Sequence, residues 1–137
     1  MPLIRHPKKR GEWVELQFMA RAASHGFTVC KPMGDSARFD VIVCWKRKLN
    51  RVQVKSTIAR NCYGSYVCAT HARPNLGPYT AKDMDFFVVY VIEHDARYII
   101  PAKASAGRKR NISVNPHRNA LRKPYEHFRE AWHLLKG

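Results

Sequence analysis

Apolar and polar residues alternate along this chain in two rhythms, and the changes of rhythm mark its elements. From Gly11 to about His25, Trp13, Leu16, Ala20 and Ala23 recur at helical spacing and Gly26 supplies a stop, so an amphipathic helix is expected. Phe27 to Lys31 follows as a short strand, and Pro32 to Ser36 as a turn. Phe39 to Trp45 is rich in β-branched and aromatic residues, Lys46 to Asn50 is polar, and Arg51 to Lys55 is apolar again. Strand, turn and returning strand predict a hairpin. Cys62 to Thr70 is a further strand candidate, and Arg73 to Thr80, with Pro74, Gly77 and Pro78, is a loop. Asp85 to Glu93 is the most apolar strand, joined by His94 to Ala96 to a partner at Arg97–Ile100 that Pro101 ends. Lys103 to Arg122 is basic and mostly irregular apart from a short strand at Ile112–Val114. Pro124 suits the first turn of a last helix whose apolar stripe is Tyr125, Phe128, Trp132 and Leu135. The order predicts an α/β fold: a single mixed β-sheet flanked by helices.

Length and charge narrow the class. A chain of 137 residues, 45% apolar, suits one domain spanning 1–137 with its own core and a basic N-terminal arm. Against 10 Asp and Glu stand 25 Lys and Arg, a net charge of +15. Such an excess repels itself in the folded state, so a polyanionic partner, nucleic acid before an anionic membrane, is expected. The apolar run Phe86–Ile92 is too short to cross a bilayer, and Met1 to His6 lead into Lys8, Lys9 and Arg10 without the apolar core of a secretory signal. A cytoplasmic location follows as the expectation. In a reducing compartment Cys30, Cys44, Cys62 and Cys68, which form no CxxC pair, are expected as small buried thiols. Cys62, Cys68 and His71 match no standard zinc spacing.

Acidic residues stand out in so basic a chain, because each works against binding an anion. Glu12 and Glu15 lie three apart and share a helix face. Asp40 interrupts an otherwise apolar strand, where an unpaired carboxylate is costly, and Asp85 stands at the start of the most apolar one. In the returning strand Gln53 and Lys55 project to one face while Val52 and Val54 pack behind, which implies a site at the sheet edge with Asp40 on the neighbouring strand. A carboxylate, an amide oxygen and an ammonium together suit a hard, oxygen-ligated divalent cation, magnesium or manganese, acting on a phosphodiester. The plainer alternative is a half-exposed strand in which Asp40 pairs with Arg38 or Arg51.

The ordered set Gly11-Glu12-Trp13-Val14-Glu15, Gly34 to Asp40 and Arg51 to Thr57 resembles the PD-(D/E)XK nuclease superfamily. More narrowly it is similar to the group I intron-associated branch of small homing endonucleases, in which a Gln stands at the usual acid position. Asp85-Phe86-Phe87, Tyr98 to Pro101 and Trp132 extend the resemblance over nearly the whole chain. It implies a restriction-endonuclease-like fold and a metal-dependent DNA endonuclease. Asp40, Gln53, the Val54 carbonyl and Glu15 would hold the metal, and Lys55 would be the motif lysine. Phe39 departs from the motif's proline, and Gln53 carries one negative charge fewer than the usual acid.

Three basic clusters are candidates for phosphate contact: Lys8, Lys9 and Arg10; Lys46, Arg47 and Lys48; and Arg108, Lys109 and Arg110. One active site cuts one strand, so double-strand cleavage calls for a homodimer or higher homo-oligomer on double-stranded DNA. The rival readings are a non-catalytic nucleic-acid-binding module on the same fold and a basic RNA-binding protein.

Overall fold

The computed structural model describes residues 4–71, 77–105 and 111–137. Its first helix, α1 (Pro7–Ser24), starts earlier than the apolar pattern indicates. Pro7 presets the backbone of the first turn, and His6 caps it by accepting the Lys9 amide on Nδ1 at 3.4 Å. Lys8, Lys9 and Arg10 are therefore helical residues rather than a free arm. The helix stops where Gly26 takes φ +89°, a left-handed conformation open to glycine at no steric cost.

The buried face of α1 is not the expected stripe. Val14, Phe18 and Ala22 are buried, whereas Leu16 is 61% exposed and Ala20 and Ala23 face outward. Only Trp13 of the expected four packs on the core. Both stripes satisfy a 3.6-residue period, and the sheet beneath takes the one that inserts Phe18.

Five strands form the main sheet in the order β1-β2-β3-β5-β6: β1 (Thr28–Cys30), β2 (Val41–Trp45), β3 (Lys48–Thr57), β5 (Phe86–Val91) and β6 (Ala96–Pro101). Only β3 and β5 run parallel, so the sheet is mixed. The β2–β3 hairpin turns tightly through Lys46 and Arg47, with Lys46 at φ +53°, the sign that short hairpin turns require. Asn50, expected in the turn, is instead a buried strand residue whose Nδ2 donates to the Leu135 carbonyl at 3.1 Å. Pro101 is the last residue of β6.

Two hydrophobic layers flank the sheet. Val41, Val43, Val52, Val54, Phe86, Val88 and Tyr90 face α1. Phe87, Val89, Val91, Tyr98 and Ile100 face a two-stranded sheet of β4 (Tyr66–Ala69) and β7 (Asn111–Val114). Buried on both sides, β5 has no polar alternation, which explains its continuous apolar run. The expected mixed sheet is present, but a small second sheet and the short helix α2 (Ala102–Ser105) stand where a helical layer was anticipated.

The helix expected after Pro124 does not form. Tyr125 at φ +65° and Glu130 at φ +50° break the segment into short 3-10 turns, Glu126–Phe128 and Trp132–Lys136. Its apolar stripe is shared between the layers: Trp132 and Leu135 close the core under α1, while Tyr125 and Phe128 pack on the other side. Among the described residues no helix is long and apolar enough to cross a membrane.

Candidate active site

The ladder between β2 and β3 ends where Val41 faces Val52, so beyond that pair β3 has no partner from β2. Asp40, immediately before β2, fills this opening. Its amide donates to the Val52 carbonyl at 2.9 Å, and its Oδ2 accepts the Val54 amide at 2.8 Å. The side chain thus replaces a missing ladder bond. Neither arginine expected as its alternative partner takes it: Arg38 pairs with Asp83 at 3.3 Å and Arg51 with Asp85 at 3.2 Å. Desolvation pushes the Asp40 carboxyl up to about 6; the Val54 amide opposes the rise, Glu15's charge adds to it, and Lys31 and Lys55 pull it down.

The alternation expected in β3 is present. Val52 and Val54 lie under α1, while Gln53 and Lys55 face the other layer, paired in register with Phe87 and Val89. The strand itself is central rather than an edge, and Gln53 is only 6% exposed. What opens the site is the early end of β2. Lys55 is half-buried; its Nζ donates to the His71 carbonyl at 3.2 Å and lies 5.8 Å from the Tyr79 ring centroid. The Arg38 guanidinium lies 5.2 Å from the same ring, with Nε and Nη2 buried and without a partner among the described residues.

On α1, Glu12 points to solvent and Glu15 is half-buried. Glu15 Oε2 accepts from Lys31 Nζ at 2.7 Å, just past the end of β1. Glu15, Lys31, Asp35, Phe39 and Asp40 line a cleft of about 200 Å³. Asp40 therefore has Glu15 on its cleft side, while Lys55 reaches it electrostatically from the opposite face of β3. Sequence does not single out Lys31, because a lone lysine after a short strand carries no periodic signal. Tyr79, which the sequence places in a loop, is buried.

Of the basic clusters, Lys8 and Lys9 are exposed on the first turn of α1, and Lys46, Arg47 and Lys48 are exposed at the hairpin turn. Arg108, Lys109 and Arg110 lie outside the described residues. The first turn of α1 carries no acidic residue, so its cations oppose the helix dipole instead of complementing it. The cysteines differ from expectation: only Cys68 is buried, with its thiol pushed up to about 12 by desolvation, Cys44 is half-buried, and Cys30 and Cys62 are exposed.

Among the described residues no group of three or more His, Cys, Asp or Glu side chains is placed to hold a metal. Cys62, Cys68 and His71 accordingly form no such cluster. The cleft instead offers carboxylate oxygens from Glu15, Asp35 and Asp40, while the Gln53 amide stands on the other face of β3. That oxygen set fits a hard divalent cation, and the charge with which Glu15 raises the Asp40 pKa is the repulsion such an ion relieves.

A family model described as PD-(D/E)XK endonuclease matches residues 5–135. Among solved structures, the bacterial homing endonuclease I-Ssp6803I is similar, with a TM-score of 0.84 at 30% sequence identity, covering 96% of this chain and 93% of that one. No curated protein sequence matches the chain.

Proposed function

Because the chain belongs to the PD-(D/E)XK endonuclease family, we propose that it is a divalent-metal-dependent endonuclease of homing type that hydrolyses phosphodiester bonds of double-stranded DNA. The observation that carries this reading is Asp40, held on the Val54 amide between Glu15 in the cleft and the charge of Lys55.

In this reading Asp40 and Glu15 hold the cation with their carboxylates, and the Gln53 amide oxygen and the Val54 carbonyl complete the protein's share. Magnesium or manganese bound there supplies Lewis acidity toward the phosphodiester and a more acidic water. The Val54 amide fixes one oxygen of Asp40 and leaves the other free to ligate. Lys55, anchored by the His71 carbonyl, keeps its ammonium beside the site, where it orients the attacking water or stabilises charge developing on the phosphate.

Lys8 and Lys9 on α1 and Lys46, Arg47 and Lys48 at the hairpin would track the backbone phosphates, with Arg108, Lys109 and Arg110 as a third contact. Cations at a helix start cost folding stability, which an anionic ligand recovers. Cutting both strands calls for a homodimer or higher assembly. Exposed free thiols at Cys30 and Cys62 suit a reducing compartment, so we place the protein in the cytoplasm.

A random duplex library incubated with the protein and magnesium or manganese tests this. Recovered ends that share a sequence and vanish with EDTA are the expected result. Enrichment by binding without any cut product would leave the second reading, a non-catalytic DNA-binding module, which the missing acid at Gln53 favours.

A further inference from the structure

The carboxylates at the cleft already have a cation of their own. Lys31 Nζ lies 2.7 Å from Glu15 Oε2, and both side chains line the cleft that Asp40 lines. Glu15 is the one ion-pair partner of Lys31 among the described residues. An ammonium offers three donors and no acceptor, so among oxygen ligands it occupies the place a hard metal ion would take. Its side chain is 51% exposed, and four methylenes connect it to the backbone past the end of β1, so it can leave without disturbing the sheet. The carboxylates of Glu15 and Asp40 share this cleft with it, and an ordinary lysine ammonium is cationic wherever carboxylates are ionised.

Resting on the nuclease reading, we propose that Lys31 is the resident counter-ion of the metal centre: its ammonium holds Glu15 until a divalent cation takes that carboxylate, so the two compete for one place. This assigns Lys31 two tasks. In the metal-free protein it offsets the repulsion between Glu15 and Asp40. Once displaced, it stays tethered beside the cleft as a mobile positive charge facing an anionic substrate. Lys55 is differently placed: it is anchored on the His71 carbonyl and does not touch Glu15 in the cleft.

The test is manganese binding by the full chain without DNA, measured at constant ionic strength from the electron paramagnetic resonance of free Mn²⁺. Lys31→Met and Lys31→Gln are compared with wild type, with Lys103→Met as a control of equal charge change on an exposed surface and with Asp40→Asn. The account expects both Lys31 variants to bind about two- to fivefold more tightly, the range that loss of a competing exposed ion pair supports. Lys103→Met should bind as wild type, and Asp40→Asn should not bind. Wild-type or weaker affinity in the Lys31 variants, with binding still abolished in Asp40→Asn, overturns the counter-ion role and leaves the nuclease reading standing. Binding that survives in Asp40→Asn removes the metal centre itself, and the role of Lys31 with it.

Discussion

Asp40 joins two opposed demands: it completes the hydrogen bonding of β3, and it keeps a charge where solvent is scarce. With its carboxyl raised to about 6 against an unfolded value of about 3.9, the folded protein retains a proton that the unfolded chain has released. The sign follows. Between those two values stability falls as pH rises, and above the folded value the ionised carboxylate carries the full penalty, on the order of 2–3 kcal/mol. In EDTA, Asp40→Asn, which still accepts from the Val54 amide, should be more stable than wild type by about that amount at pH 8. Near pH 4 the two should converge. Urea unfolding at both values checks it, and a difference independent of pH would contradict the cause assigned here. The residue itself was legible in the sequence because a carboxylate in an apolar run has to be explained, although the strand begins only at Val41 and leaves Asp40 just outside it. Its partner was not: the open amide of Val54 depends on where β2 ends, which no local pattern specifies.

At the scale of elements, the strands were more legible than the helices. Period-two alternation separated Val52 and Val54 from Gln53 and Lys55 correctly, because shifting a strand by one residue exchanges its faces. Helical spacing leaves a choice of neighbouring stripes, and α1 buries Val14, Phe18 and Ala22 instead of Leu16, Ala20 and Ala23. The last segment failed for a different reason. Its apolar residues belong to both sides of the sheet, so the chain bends through left-handed Tyr125 and Glu130 to deliver them, and no single helix can do that. Trp132 lies 5.5 Å from Phe18 between ring centroids and Leu135 is fully buried, so this segment closes the α1-side core. Leu135→Ala should cost about 2–5 kcal/mol in chemical denaturation. Leu121→Ala, at a residue 104% exposed, should stay within about 0.5 kcal/mol of wild type. Equal costs would mean that the terminal segment is not part of the core.

For the whole molecule, a net charge of +15 was the clearest signal in the composition, and it pointed to a polyanion without indicating an activity. If the exposed cations at α1 and the hairpin meet phosphates, the slope of log affinity against log salt should be steep. Replacing Lys46 and Arg47 by Ser should flatten it by about 0.9 for each phosphate that is no longer neutralised. An unchanged slope would take the hairpin out of the interface. The central claim, however, concerns the site. It is tested most directly by cleavage and binding of one duplex, selected as a substrate, by wild type and Lys55→Ala in magnesium or manganese. The account predicts metal-dependent cutting by wild type and a loss on the order of 10²-fold or more in the variant, with DNA affinity nearly unchanged. Cleavage that persists undiminished in Lys55→Ala would show that the reaction does not run through Asp40, Gln53 and Lys55.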